Sequence, residues 1–168
     1  MTLQKIYFDM DGVLANFNHG LMDLCGIAPQ DQENQSDEYS NRMWGAVRNI
    51  PHFYDKLDPI PGTLDLFQEL YEKYGGKCEI LTAIPKKDKG IVTAGEDKIS
   101  WAHRLLGPDV MVNIVYKEQK KEFCTGPDCI LVDDLARNIR EWTECGGTRI
   151  LFQNAEEARK SLQEWEVL

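Results

Sequence analysis

Short apolar segments alternate with stretches of helical periodicity over most of this 168-residue chain. The apolar segments, which are typical of strands, are residues 5–9, 77–82, 111–116, 129–132 and 148–152. From residue 63 onward, the stretches between them repeat apolar residues three and four positions apart, as helices do. Strands joined by helical crossovers lie parallel, so their carboxyl ends meet at one edge of the sheet. The alternation therefore predicts an α/β fold with a parallel sheet.

The alternation is interrupted after the first strand. This region lacks strand signals, and residues 28–41 are polar and acidic, as in an exposed loop that leads into a helix. Three prolines between residues 51 and 61 forbid a regular helix where the chain returns to the alternating pattern. We therefore predict a helical insertion over residues 17–58, carried by a core of residues 1–16 and 59–168.

Two helices of the core have boundaries and faces that the pattern predicts in detail. Thr63 precedes a stripe of apolar residues and is predicted to cap the helix that carries them. A later helix runs from Glu96 to Leu106 and ends before a glycine and a proline. Its predicted inward face consists of Ile99, Ala102, Leu105 and Leu106.

The composition narrows the range of partners. A net charge of −9 argues against a protein that follows a nucleic-acid backbone, because a polyphosphate polymer needs a basic surface. The sequence has no signal-peptide pattern and no apolar run long enough to span a membrane, so we expect a soluble cytoplasmic protein without a membrane partner. Five scattered cysteines favour reduced thiols, and Cys124 with Cys129 is a weak zinc signal. Both a monomer and a homodimer remain open.

Polar side chains follow four of the predicted strands. They are Asp9 and Asp11, Thr82, Lys120 with its neighbours Lys117 and Lys121, and Asp133 with Asp134. Two acids before Gly12 could by themselves simply start a turn. The complementary groups after the other strands favour a site instead, because open α/β sheets bind ligands outside the carboxyl ends of their strands.

Four carboxylates, a hydroxyl and a lysine suit magnesium-assisted phosphoryl transfer. Oxygen ligands hold a hard cation, and cationic and hydroxyl donors hold a phosphate. One carboxylate can attack phosphorus, and a second can protonate the leaving alcohol and later activate water. Asp9 and Asp11 fit these two roles, while Asp133 and Asp134 complete a Mg²⁺ site. Thr82, a lysine and backbone amides after the first strand would stabilise the charge on the phosphoryl oxygens.

These residues resemble the four motifs of haloacid dehalogenase (HAD) phosphatases. The motifs are Asp9-Met10-Asp11-Gly12-Val13, Ile80-Leu81-Thr82, Lys120 and Val132-Asp133-Asp134. More narrowly, the chain is similar to the 5′(3′)-deoxyribonucleotidases at residues 9–17, 57–62, 106–109 and 114–115 and at Asp97-Lys98 with Trp101. The resemblance implies a Rossmann-like three-layer sandwich with a small α-helical cap after the first strand. It also implies hydrolysis of (deoxy)nucleoside monophosphates through an aspartyl-phosphate.

The resemblance also implies a role for each matching residue. Asp9 would be the nucleophile and Asp11 the general acid and base. Asp9, the carbonyl of Asp11 and Asp134 would bind Mg²⁺, and Asp133 would support them. The residues expected at the phosphate are Met10, Thr82, Ala83 and Lys120, with Lys117 and Lys121 as alternatives to Lys120. Phe17, Met43 and Trp44 fall where the cap of the family lines a base pocket, although all three could serve as core packing.

Two departures from the family pattern keep other substrates open. Ala83 stands where the deoxyribonucleotidases carry a serine, and Glu118 stands where they carry an arginine near the substrate. A carboxylate repels a phosphate that a guanidinium would bind. A sugar phosphate or another small phosphate ester is therefore an alternative substrate. A phospho-acceptor signalling domain, or a phosphate-binding module without turnover, is an alternative of another class, although the order of the motifs argues against a receiver domain.

Overall fold

A computed structural model describes residues 2–168 and contains a five-stranded sheet. The strands are β1 (Lys5–Phe8), β2 (Cys78–Ala83), β3 (Val112–Val115), β4 (Cys129–Asp133) and β5 (Thr148–Leu151). The helices are α1 (Phe17–Cys25), α2 (Asp37–Arg48), α3 (Thr63–Tyr74), α4 (Ala94–Leu106), α5 (Ala136–Glu144) and α6 (Ala155–Glu164). The strand order is β3-β2-β1-β4-β5, and every pairing is parallel. The predicted α/β fold is therefore confirmed.

The register of the central strand decides which side chains meet at the carboxyl edge. Phe8, the last residue of β1, lies opposite Ile80 on one side and Val132 on the other. The amide of Asp9 donates to the carbonyl of Val132 at 2.9 Å, so the ladder continues one residue further. Asp9 and Asp133, which follow the paired residues, are thus neighbours at the same edge of the sheet.

Hydrophobic side chains cover both faces of the sheet, as a parallel sheet requires. Ile6 and Phe8 face a large core that includes buried residues of α3, α4 and α6. Tyr7 points to the opposite face, where it packs with Ile139 and Trp142 of α5. This alternation along β1 gives helix, sheet and helix layers. All five cysteines are free thiols.

The chain between β1 and α3 is helical. It contains α1 and α2, with 3-10 turns at Gln32–Asn34 and Phe53–Lys56, and across residues 9–62 its β-structure is limited to isolated bridges. The second 3-10 turn is fastened to α4, because Asp55 forms an ion pair with Arg104 and the indole N–H of Trp101 donates to the carbonyl of Leu57 at 2.7 Å. The return passage of the insertion is thereby held against the core.

Two local predictions for the core helices are wrong. Ile99 is 36% exposed, whereas Lys98 and Trp101 on the same helix are fully buried. The hydrophobic pattern failed here because three hydrogen bonds compensate the burial of the Lys98 ammonium, which allows a charged residue to occupy the inward face. Thr63 is the first residue of α3, and Gly62 occupies the capping position; the hydroxyl of Thr63 donates to the carbonyl of Ile60.

None of the helices within residues 2–168 combines the length and the apolar character that a membrane span needs.

We expect Trp101→Phe to lower the free energy of unfolding by about 1–3 kcal/mol, because the buried carbonyl of Leu57 would lose its donor. Ser100→Ala is a suitable control, since the serine hydroxyl binds Asp55 at the exposed side of the same helix and its loss should change stability by less than about 0.5 kcal/mol. Urea unfolding of both variants measures the difference. Equal midpoints for Trp101→Phe and the original chain would contradict the anchoring role of the indole.

Candidate active site

A buried lysine joins the carboxylates that follow β1 and β4. The ammonium of Lys120 lies 2.8 Å from Oδ1 of Asp9 and 2.7 Å from Oδ2 of Asp133. Lys120 is only 3% exposed, and both carboxylates are buried as well. It reaches them from the 3-10 turn Lys117–Phe123, which follows β3. Residues that follow β1, β3 and β4 therefore form one buried ion-pair network, although β2 lies between β3 and β1.

Backbone and amide donors fix the orientation of the two acids. Oδ1 of Asp9 also accepts from the N–H of Met10 at 2.8 Å. Asp133 accepts from the N–H of Leu135 at 2.8 Å through Oδ1 and from the side-chain amide of Asn138 at 2.9 Å through Oδ2. Both oxygens of Asp133 are thus engaged within the protein, and this residue acts as a rigid support.

Asp134 completes a cluster of three acids. Asp9, Asp133 and Asp134 each offer an oxygen within 4.8 Å of the others, a spacing that can hold a metal ion. Asp134 remains exposed toward the cleft, whereas the other two are buried. Gly12 adopts a φ of +80°, and a Cβ at this position would lie 2.1 Å from Oδ2 of Asp134. A glycine is therefore required both by its backbone conformation and by its close approach to the acid.

The crowding of the acids changes their proton affinity. Burial raises the pKa of Asp9 from 3.8 to about 6, aided by the charges of Asp133 and Asp11 and opposed by Lys120. Enclosure in the cleft and the charges of Asp9 and Asp133 raise the pKa of Asp134 to about 8. Burial disfavours the charged form of Lys120, but Asp9 and Asp133 outweigh it and raise the pKa of this lysine above its ordinary value. The cluster thus holds more negative charge than Lys120 alone compensates.

A second buried lysine, Lys98 of α4, holds Asp11. Its ammonium donates to Oδ2 of Asp11 at 2.7 Å, to the hydroxyl of Thr82 at 2.9 Å and to the carbonyl of Ala83 at 2.7 Å. It also lies 4.6 Å from the centre of the Tyr54 ring, within cation–π range. The side chain of Asp11 therefore points to Lys98 and is not part of the three-acid cluster found within residues 2–168.

An open cleft with a volume of about 330 Å³ lies over these acids. One wall is aromatic, since the ring of Phe17 stacks on Tyr54 with centroids 6.2 Å apart and lies 6.4 Å from Trp44. Polar side chains from the insertion line it as well, namely Asn18, Gln30, Gln32 and Gln35. Lysines 86, 89 and 117 also line it. The cleft thus combines an apolar wall with amides and cations.

Comparison with known proteins identifies the family. A family model described as "5' nucleotidase, deoxy (Pyrimidine), cytosolic type C protein" matches residues 3–164. The chain belongs to this family. The predicted resemblance is thereby confirmed at the level of the family.

The relatives of this chain carry names that agree with this family. The mouse "5'(3')-deoxyribonucleotidase, mitochondrial" is 25% identical over 146 residues, which cover 77% of this chain and 64% of the mouse protein. The "Putative 5'(3')-deoxyribonucleotidase" of Bordetella pertussis is 27% identical over 128 residues, with coverages of 68% and 67%. The chain therefore spans less than two thirds of the length of the mouse relative. A HAD-superfamily hydrolase from Ehrlichia chaffeensis shares the fold, with a TM-score of 0.59, 13% identity and 97% coverage of both chains.

The structure of this nucleotidase-family chain brings most of the predicted site residues together. Eight of them line the cleft, namely Asp9, Asp11, Phe17, Met43, Trp44, Ala83, Lys120 and Asp134. Asp133 contacts the same ammonium of Lys120 as Asp9 does. Lys117 also lines the cleft, half-buried, whereas Lys121 is exposed. Glu118 is exposed at the cleft.

Two of the residues predicted at the phosphate lie deeper than expected. Thr82 is fully buried and accepts a hydrogen bond from Lys98. The side chain of Met10 is buried in the core, and its backbone N–H already donates to Asp9. The sequence interpretation also missed Lys98 as a site residue. Its only signal was its place beside Trp101 in the segment that resembles the family.

In the metal-free form of this nucleotidase-family chain, stability should fall as the pH rises from about 4 to about 8. The pKa values of Asp9 and Asp134, about 6 and about 8, exceed the ordinary 3.8, so the folded chain binds more protons than the unfolded chain in this window. Each rise in pH then favours unfolding. Urea unfolding in a chelator at several pH values measures the slope.

Asp134→Asn should flatten this slope, and the exposed Asp23→Asn should leave it unchanged. Added Mg²⁺ should reverse the trend in the original chain, because a cation favours the ionised carboxylates. A metal-free stability that rises with pH across this window would show that the acids are not mutually destabilising.

Proposed function

We propose that this chain is a Mg²⁺-dependent phosphatase that hydrolyses the phosphomonoester of (deoxy)nucleoside monophosphates through an aspartyl-phosphate at Asp9. The observation that carries the proposal is the convergence of Asp9, Asp11, Asp134 and Lys120 at one sheet edge beneath an aromatic cleft. Family membership supports the same activity, as do the names of the mouse and Bordetella relatives.

The acidic cluster suits a hard divalent cation. Three carboxylate oxygens within 4.8 Å of one another, with raised pKa values for Asp9 and Asp134, form a donor set that a cation stabilises. Asp9, Asp134 and the carbonyl of Asp11 would hold Mg²⁺, and Asp133 would support them through its hydrogen bonds. Bound Mg²⁺ would neutralise negative charge that develops on the phosphoryl oxygens.

Asp9 is the proposed nucleophile. Among the described residues, its hydrogen bonds and its ion pair all go to Oδ1, which leaves Oδ2 available to attack phosphorus. Lys120 uses two of its three N–H groups on carboxylates and can offer the third to the phosphate. Thr82, whose hydroxyl retains its own hydrogen, and the backbone of Ala83 are the further proposed phosphate-side groups. Met10 is not among them, because its N–H donates to Asp9. Asp11 is the proposed acid for the leaving alcohol.

The cleft favours a nucleoside as the leaving group. A planar base can stack against the aromatic wall of Phe17, Trp44 and Tyr54, and Met43 also lines the cleft. The amide side chains that the insertion places in the cleft can bind the polar edge of a base. We assign residues 17–58 the role of a cap that encloses the substrate and limits access of water.

A substrate panel tests this function. We expect phosphate release from nucleoside 5′- or 3′-monophosphates in the presence of Mg²⁺ and none in a chelator. Sugar phosphates and p-nitrophenyl phosphate belong in the same panel. A clear preference for sugar phosphates would replace the nucleotide assignment, and a stable phosphoprotein without turnover would indicate a signalling domain. No phosphate release from any ester with Mg²⁺ would reject the proposal.

Asp9→Asn should reduce turnover by at least about 10³-fold while the protein remains folded, because the amide keeps the shape of the side chain but is not a nucleophile. Initial rates with the best ester of the panel, together with circular dichroism, measure both effects. Asp65→Asn, at an exposed position of α3, is a control that should retain full activity. Substantial turnover in Asp9→Asn would remove Asp9 from the nucleophilic role.

A further inference from the structure

Lys98 has no hydrogen-bond donor left for a substrate. An ammonium has three N–H groups, and those of Lys98 go to Asp11, Thr82 and Ala83. The side chain is fully buried, and Lys98 is not among the residues that line the cleft. The two contacts on β2 hold the ammonium in place, and the third acts on Asp11. Lys98 can therefore influence chemistry in the cleft only through another residue.

The two oxygens of Asp11 are in different environments. Oδ2 accepts from Lys98 at 2.7 Å. Oδ1 is buried and has no hydrogen-bond partner within residues 2–168, although Asp11 lines the cleft. A buried acceptor without a partner costs about 1–3 kcal/mol. A hydroxyl or water that enters the cleft would supply the missing partner at Oδ1.

We propose that Lys98 is a positioning residue that fixes Oδ2 of Asp11 and so makes Oδ1 the oxygen that exchanges a proton with the leaving alcohol and the attacking water. The proposal rests on the proposed phosphatase function and assigns its proton transfer to one atom and one supporting side chain.

The proposed reaction has two steps. In the first, Asp9 forms a bond to phosphorus, the bond between phosphorus and the ester oxygen breaks, and that oxygen takes both the electron pair and the proton carried by Oδ1 of Asp11. In the second, water attacks phosphorus and gives a proton to Oδ1, and the electron pair of the broken acyl-phosphate bond returns to Asp9. Lys98 stays charged throughout and transfers no proton.

The dependence of kcat/KM on the acidity of the leaving group distinguishes this positioning role from a merely structural one. Phenyl phosphate and p-nitrophenyl phosphate are matched esters, but only the less acidic phenol needs strong protonation as it leaves. Their kcat/KM values report the steps up to release of the phenol, before water attacks. Lys98→Met should lower kcat/KM for phenyl phosphate by about 10²–10⁴-fold and for p-nitrophenyl phosphate by less than about tenfold.

The matched control is Asp97→Asn on the same helix. Asp97 is buried and contacts His52 and Thr93, and it lies outside the cleft lining. Any general disturbance of α4 in this variant should lower both kcat/KM values by the same factor. Equal losses on both esters in Lys98→Met would overturn the positioning role while leaving the phosphatase function intact. If the original chain hydrolyses no ester of the substrate panel with Mg²⁺, the nucleoside monophosphates included, the proposed function itself fails.

A double variant keeps the test decisive if Lys98→Met does not fold. Asp11→Asn combined with Lys98→Met removes both members of the ion pair and avoids an uncompensated charge. If Lys98 acts through Asp11, Asp11→Asn alone and the double variant should have the same kcat/KM on each ester. A further loss in the double variant, similar for both esters, would contradict the inference.

Discussion

The arrangement of the site follows from the need to hold four carboxylates together at the edge of one sheet. Burial penalises the charged form of these acids and their like charges repel, and together the two effects raise the pKa values of Asp9 and Asp134. Lys120 compensates part of it by bridging the acids that follow β1 and β4. Because the register sets Phe8 opposite Val132, these acids are adjacent, and one ammonium from the turn after β3 reaches both.

The second buried lysine, Lys98, connects the proposed acid Asp11 with the helical insertion. Lys98 binds Asp11 and β2 and lies over Tyr54, while Trp101 and Arg104 of the same helix fasten residues 55–57. Tyr54 in turn stacks on Phe17 in the aromatic wall. A single helix therefore sets the position of the proposed acid and of one end of the proposed cap. Any rearrangement of residues 17–58 that preserves these contacts leaves residues 54–57 in place against α4.

The alternation of strands and helices was sufficient to predict the parallel sheet. It also predicted that the acids lie at one edge, because the carboxyl ends of parallel strands all lie at the same edge of a sheet. Lys98 was not predictable in this way. A lysine inside an apolar stripe ordinarily belongs to the surface, and its partner Asp11 lies 87 positions earlier in the chain. The same rule misassigned Ile99 to the core. The sequence favoured Lys120 over Lys117 and Lys121, but its contacts with Asp9 and Asp133 depend on the geometry of the 3-10 turn, which the local pattern does not specify.

Two buried oxygens within residues 2–168 lack hydrogen-bond partners, and both belong to residues that line the cleft. They are Oδ1 of Asp11 and Oδ1 of Asn138, and in each case another atom of the side chain is firmly held, by Lys98 or by Asp133. A fold that satisfies nearly all other buried polar side chains tolerates such a cost where a ligand or water supplies the partner. The protein thus fixes one end of each side chain and leaves the oxygen at the other end without a partner in the part of the chain that the structure describes.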